Sequence, residues 1–432
     1  MMNRTAVRSL LESRCGGNRQ EFIRRVSHYM GLTDANGRKY LDRAGNPELR
    51  NPREGSGSEF PRMRADEFSL RSLWEGLVGE DTIESHCRPN MIERALIEDN
   101  GAGAVPASAF ADINAWTAVT SGLLEISILE QWRAPEFIGD ILCPPKMTKM
   151  AEGRKIIGST RIGNQAEPRQ PLMPTKRVQI GERWVTQPRT VEGAAAIEVS
   201  QEAVFFDLTG EVTEEAGNVG FWVGYEKELL QIDGFIGVTN TYTYKGNNYN
   251  TYITGGYYNN LITGNDLQYH ENILTDELAF RDMIDPETNT RVLIQPNTIL
   301  CQRERKYIAD LLVGGGEYQH RTAPGATATD QSIRRGDNPW KGRYRVIESP
   351  LVYQRITDAT GLNVSTTNAG KYWWLFESGK VAEWSQNWPL RVQTAAPNQV
   401  DMIDRGVVLF VKADQRGVVT ILEPRRSVMN TN

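Results

Sequence analysis

Cysteine and histidine are scarce in this chain of 432 residues, with four of each. Cys15, Cys87, Cys143 and Cys301 are scattered, with no CxxC and no paired spacing. That pattern excludes a disulfide scaffold and a cysteine-built zinc site, and it points to folding in a reducing, cytoplasmic-type compartment. His86 and Cys87 are adjacent and poorly placed to chelate one ion together, and no second ligand pair accompanies them. Long hydrophobic runs are also missing. The longest, Tyr372–Phe376 and Val407–Val411, fall far short of the ~20 residues of a membrane span. Residues 1–25 have no apolar core segment between their arginines, so no secretory signal is expected. No GxxxxGK(S/T), GxSxG or HExxH motif occurs. Gly314-Gly315-Gly316 follows a helical pattern and reads as a helix stop, not a phosphate cradle. No nucleophile–base pair, metal-ligand set or cofactor motif stands out, so no enzyme activity, metal or cofactor is expected.

What is present is segregated charge. The hydrophobic share of 39% and charged share of 24% are those of a globular protein long enough for two or three domains. The net charge of −5 conceals large local imbalances. Residues 1–72 hold fourteen Lys and Arg against nine Asp and Glu, a balance of +5, which leaves −10 for the rest. From Pro144 to Val191 there are ten basic residues, Arg161, Arg169, Lys176 and Arg183 among them, against Glu152, Glu167 and Glu182, a balance of +7. From Glu198 to Asp233 nine acidic residues, including Glu211, Glu214 and Glu215, face Lys227 alone. The basic segment reads as two strands, Met147–Ile162 and Lys176–Thr190, with Val178, Ile180, Glu182 and Trp184 on one face and a proline-rich tip at Asn164–Thr175. A long two-stranded arm is marginal alone in water. Beside an acidic helix it reads as an arm for a neighbouring subunit, with Arg161, Arg169, Lys176 and Arg183 meeting Glu211, Glu214 and Glu215 of another copy. The basic arm at the start of the chain (Arg4, Arg8, Arg14, Arg24, Arg25) suits a polyanion or an acidic partner.

Periodicity places the remaining pieces. Helices are expected over Thr5–Ser13, Gln20–Met30, Glu67–Val78, Met91–Glu98, Ile113–Trp132, Glu211–Ile232, Thr275–Ile284 and Arg303–Val313, with a short one capped by Ser200. Val212, Ala216, Val219, Val223, Leu229 and Leu230 stripe the long helix, and its Gly217, Gly220 and Gly224 weaken it. Thr239–Ile262 reads as a surface excursion and Gln319–Asn338 as a mobile loop. Strands are expected at Val292–Ile294, Tyr344–Glu348, Tyr372–Phe376, Val381–Glu383, Leu390–Gln393, Val407–Lys412 and Val418–Leu422. Trp373, Trp374, Trp384 and Trp388 read as sheet packing, with sugar stacking the alternative. Asp282 with Asp285, and Glu214 with Glu215, read as helix-surface charge, and Arg335-Gly336-Asp337 as a chance loop tripeptide. No buried cluster of titratable groups is expected, and no deep pocket at His270, Asp282 or Asp285.

The order of these pieces resembles the major capsid protein of tailed double-stranded DNA bacteriophages, the Hong Kong 97-type fold, over roughly residues 67–432. Glu67-Phe68-Ser69-Leu70-Arg71-Ser72-Leu73 is similar to the start of that family's mature arm. Gly224-Tyr225-Glu226-Lys227-Glu228-Leu229-Leu230 is similar to the end of its spine helix. Asn338-Pro339-Trp340-Lys341-Gly342-Arg343-Tyr344-Arg345-Val346 resembles the lead into an axial-domain strand. Trp373-Trp374-Leu375-Phe376, then Val407–Asp414 and Arg416-Gly417-Val418-Val419, match its C-terminal pattern. The individual pieces are mostly hydrophobic spacing, and the order carries the likeness.

The resemblance implies an α+β fold in six parts. These are an extended N-terminal arm at 1–112, the start of a peripheral domain at 113–143 and an extended β-hairpin (E-loop) at 144–191. The peripheral domain with its spine helix follows at 192–262, an axial domain at 263–380, and return strands of the peripheral domain with a C-terminal axial strand at 381–432. It implies self-assembly as hexamers and pentamers into an icosahedral shell around phage double-stranded DNA. Portal, scaffold and decoration proteins are further implied partners, with the virion as location, assembly in the bacterial cytoplasm and no membrane. Some members join subunits covalently. Lys176 is the candidate donor here, and the comparable stretch Asn398–Gly406 has its Asn displaced from the expected place. Two other readings stand beside this one: an encapsulin-type storage shell, and a carbohydrate-binding virion or tail protein.

Overall fold

The computed structural model describes residues 19–34, 36–42, 45, 47–54, 58–59, 120, 122–132, 137–162, 179–200, 211–255, 258–285, 291–315, 317–321, 333–395 and 407–432. They fall into two compact units. The first takes in 1–134, 192–226 and 388–416, and the second 135–191, 227–387 and 417–432. Both are mixed α and β.

In chain order, helix α1 (Arg19–Tyr29) precedes a two-residue ribbon of β1 (Arg53–Glu54) and β2 (Ser58–Glu59). Helix α2 (122–132) and the single turn α3 (Gly139–Leu142) lead into β3 (Pro145–Met147). Next come β4 (Lys155–Ile162), β5 (Gln179–Thr186), β6 (Val191–Ser200) and the 26-residue α4 (Glu211–Ile236). Strands β7 (Tyr242–Tyr244), β8 (Asn247–Tyr249) and β9 (Leu261–Thr263) follow, then α5 (His270–Asp282), β10 (Thr298–Cys301) and α6 (Arg303–Gly314). The ribbon β11 (Glu317–Arg321) and β12 (Ile333–Asp337) precedes β13 (Arg345–Glu348), α7 (Pro350–Thr357) and the short α8 (Thr366–Ala369). The chain closes with β14 (Trp373–Phe376), β15 (Ala382–Ala395), β16 (Val407–Ile421) and β17 (Ser427–Thr431).

In the first unit the expected stripes turn inward. Val26 of α1 and Met30 just after it, Leu123, Leu124 and Ile128 of α2, and Val212, Ala216 and Val223 of α4 form one core with Leu390 of β15 and Leu409, Val411 and Ala413 of β16. Gly217 and Gly220, which local propensity counts against the helix, sit where α4 crosses α2. A Cβ on Gly220 would collide with the backbone carbonyl of Ile128, and one on Gly217 would press on Ser127. The glycines cost helix propensity and allow the two backbones to touch. Ser127 Oγ uses that closeness to donate to the Thr213 carbonyl at 2.6 Å.

The second unit is built on a five-stranded sheet in the order β13-β10-β14-β17-β9. β14 is central and buried at every position, which explains its unbroken apolar run. Alternation sends Ile299, Cys301, Trp373, Leu375 and Val428 to one face, beneath α5 and α6. Leu300, Trp374, Phe376 and Met429 go to the other, against α7 and Ile232, Phe235 and Ile236 of α4. Trp373 and Trp374 thus fill opposite cores, and both are fully buried. Packing, the first reading of this pair, is what the structure shows.

Several expectations need correction. The long helix starts at Glu211 as expected and runs on past Ile232 to Ile236, while Ser200 ends strand β6 and the short helix expected through Phe206 lies outside the described residues. Thr239–Ile262 is not simply an excursion. It forms the β7–β8 hairpin and β9, with Thr251 and Asn260 fully buried. Asn260 supplies the reason, because its amide donates to the carbonyls of Thr251 and Pro424. The expected loop 319–338 begins and ends as a ribbon, Glu317 opposite Asp337 and Arg321 opposite Ile333, which also puts Arg335-Gly336-Asp337 in a strand. No strand forms at 292–294; the inner strand is Thr298–Cys301, parallel to β13 and antiparallel to β14. Two expected strand pairs are single long strands, β15 and β16. The short α7, opened by Pro350 after Ser349, was not foreseen. Expected helices at 5–13, 67–78 and 91–98 lie outside the described residues.

Candidate assembly surfaces

The basic hairpin forms in the expected place, with Lys155 opposite Thr186 and Ile162 opposite Gln179. Its tip at 163–178 lies outside the described residues, and so do Arg169 and Lys176. Arg161 sits opposite Ile180 in the ladder. Its side chain is not described. At the base the inward residue is Val185, 4% exposed in the core, and Trp184 takes the other face beneath Lys155, whose Nζ lies 4.5 Å from the ring centroid. Val185 pairs with Tyr244 of β7 across the sheet.

Much of the hairpin's charge at this end is answered within the chain. The buried Glu383 receives Arg154 at 3.2 Å and Lys146 at 3.4 Å. Arg183, expected to reach another subunit, pairs with Glu423 of its own chain and stacks over Tyr244. Glu423 also accepts from Arg425 Nε at 2.6 Å and from its terminal nitrogen at 2.9 Å. Burial alone pushes the Glu423 carboxyl up, and the two guanidiniums more than reverse this, so it stays below the usual carboxylate range. The sequence could not reveal this pairing across 240 positions. It makes the hairpin a clamped base carrying a distal basic segment.

On the first unit's part of α4, the solvent face carries Glu214, Glu215, Asn218, Trp222 and Glu226, all exposed. Glu214 and Glu215 occupy the first turn, where the helix dipole favours negative charge, and have no ion-pair partner among the described residues. The Glu211 side chain is not described. Trp222 is 60% exposed and makes edge contacts with Phe221 at 5.8 Å and Tyr225 at 5.7 Å. The charge count had marked the acids; the aromatic knob among them passed unnoticed. On the basic arm, Arg24 is exposed and Arg25 half-buried, while Arg4, Arg8 and Arg14 lie outside the described residues.

Contrary to expectation, buried titratable groups exist in the second unit. Glu228 accepts the Ile138 N–H at 2.8 Å and the Gly139 N–H at 2.8 Å, and burial pushes its carboxyl up to about 7. Lys227 pairs with Asp140 at 2.7 Å beside it. Asp276 is fully buried, accepts from the amides of Asn265 at 3.0 Å and Asn430 at 2.6 Å, and is raised well above the usual range by burial. These carboxylates face backbone N–H groups and amides of the interior, an arrangement that fixes elements in place. Asp282 is exposed and pairs with Arg281 and Arg291. His270 packs against Trp340. Among the described residues no group of three or more His, Cys, Asp or Glu could hold a metal, and no helix is long and apolar enough to cross a membrane.

No family model and no curated protein matches the sequence. Solved structures do. The capsid of Cyanophage P-SCSP1u shares 11% identity over 68% of this chain and 88% of that one, with a TM-score of 0.40. The capsid of a native GTA particle shares 12% over 69% and 90%, also at 0.40. The virus-like particle from Pyrococcus furiosus shares 11% over 71% and 97%, at 0.35.

Proposed function

We propose that this chain is a shell subunit, the major capsid protein of a tailed double-stranded DNA phage, whose work is assembly with copies of itself. The observation that carries the reading is the acidic first turn of α4, unanswered among the described residues, in a chain whose basic hairpin segment holds the complementary charge. Glu214 and Glu215 are exposed. At the described hairpin base, Lys146 and Arg154 are committed to Glu383 and Arg183 to Glu423 of their own chain. Arg161, Arg169 and Lys176 remain to meet Glu211, Glu214 and Glu215 of a neighbour, and Arg183 drops out of that set. Each exposed pair contributes at most ~1 kcal/mol. A subunit held by several neighbours multiplies such contacts into a stable shell. On this reading the first unit with α4 acts as the peripheral body and the sheet with α5 and α6 as the axial one. Packaged DNA, portal and scaffold are the partners, in a virion assembled in the host cytoplasm, and no catalysis is required.

The test is charge reversal. Arg161→Glu, Arg169→Glu and Lys176→Glu together are expected to abolish particles in negative-stain micrographs, with the circular dichroism of the subunit unchanged. Particles at wild-type yield in low salt would refute the pairing, and failure of the wild-type chain to form particles would refute the shell.

A further inference from the structure

We propose that the aromatic and acidic stripe of α4 is the receptor for the arginine-rich N-terminal segment of a second copy of this chain. The proposal rests on the shell reading for the presence of that copy, and it names which element meets which.

An indole 60% exposed leaves a large apolar surface in water. The ring is held firmly, since Phe221 and Tyr225 each meet its edge and stack on one another at 6.0 Å. Asn218 and Glu226 stand four residues before and after Trp222, and Glu215 seven before, all exposed. One helix face therefore presents carboxylate, amide, indole and carboxylate at one-turn spacing. Among the described residues cations lie over Tyr40, Trp184, Tyr244, Tyr344 and Trp388, and none over Trp222. With that exposure, no described segment of the same chain covers the ring.

A π face bracketed by carboxylates favours a guanidinium over an ammonium. The planar cation stacks on the indole and still directs its N–H edge at a carboxylate, and it sheds water more readily. The start of the chain supplies that ligand. Arg4, Arg8, Arg14, Arg19, Arg24 and Arg25 occur there, and no lysine precedes Lys39. Arg4 and Arg8 stand four positions apart in the sequence, which supplies one guanidinium to stack on Trp222 and another to pair with Glu226. The hairpin fits the rings less well. Four of its ten cations are lysines and two of its six arginines, Arg154 and Arg183, are engaged at home, whereas every cation of the first 25 residues is an arginine. The stripe thus divides, with its first turn for the hairpin and its aromatic middle for the arm.

The experiment uses the full chain with the photoreactive residue p-benzoylphenylalanine at Ala6, between the two arginines, mixed with an equal amount of isotopically heavy chain. Irradiation is expected to join position 6 to a peptide within 211–236 of the other isotope. Trp222→Ala is expected to reduce that product about tenfold, the loss of one stacked and partly desolvated guanidinium. The double variant Arg4→Lys with Arg8→Lys, which keeps the charge, should reduce it several-fold. Trp222→Phe provides a second check should the alanine variant misfold, with an intermediate yield expected. Products confined to one isotope, products mapping elsewhere, or a yield indifferent to Trp222 and to Arg→Lys would overturn the proposal. Micrographs of the same samples separate the two readings. Particles lacking this product sink the receptor assignment alone, and the product without particles sinks the shell.

Discussion

Substituting Glu228 by Gln tests whether desolvation or hydrogen bonding governs the buried carboxylate beneath α3. Glu228 is 2% exposed, and its carboxyl is pushed from 4.5 to about 7, by burial first, with Asp140 adding and the Ile138 and Gly139 N–H groups and Lys227 opposing. A carboxyl raised in the folded state binds its proton more tightly there than in the unfolded chain. Between about 4.5 and 7 the folded state then carries more protons, so stability falls as pH rises through that window and levels off above it. At 1.36 kcal/mol per tenfold in proton affinity the full effect is about 3 kcal/mol. Gln cannot ionise, and its oxygen retains two of the N–H bonds. Its amide nitrogen replaces the oxygen that accepts from Gly139, a fixed cost that does not vary with pH. The quantity to measure is therefore the difference in urea-unfolding free energy between wild type and Glu228→Gln at pH 5, 6, 7 and 8. Wild type is expected to lose about 2–3 kcal/mol relative to the variant from pH 5 to 8. A relative gain over the same range would show that the N–H bonds hold the carboxylate ionised and would refute the argument.

Three further outcomes are expected. Gly220→Ala forces a methyl against the Ile128 carbonyl and should destabilise the first unit by about 3 kcal/mol, whereas Gly314→Ala, with open space around it, should be neutral or slightly stabilising in the same urea assay. Asp276→Ala strands the amides of Asn265 and Asn430 in the interior and should cost about 2–4 kcal/mol in thermal unfolding. Glu423→Gln weakens the pairs with Arg183 and Arg425. Limited proteolysis should then cut within 155–186 faster than in wild type. Because the folded Glu423 is held below 4.5, its stabilisation is present above that value and is lost as pH falls through the folded one, so acid should reproduce the variant's cleavage.

The sequence by itself determined the long helices and the charge segregation. Apolar residues recur every three to four positions in α1, α2, α4 and α6, and that period is a local property needing no knowledge of the partner. The basic hairpin and the acids of α4 were equally legible, since like charges gathered along the chain stay together in any fold. The tertiary structure decided what each feature meets. Gly217 and Gly220 read as flaws until α2 is laid against them. Arg183 reads as a contact to another subunit until Glu423 arrives from the far end of the chain. Trp373 and Trp374 are neighbours in sequence, yet the alternation of a strand buried on both faces places them in separate cores. Strands β9 and β11 carry no period or apolar run that registers in the sequence, and only their pairing across a sheet defines them. Contacts between distant residues depend on which surfaces fit, and that information resides in the assembled shape rather than in the spacing of any one segment.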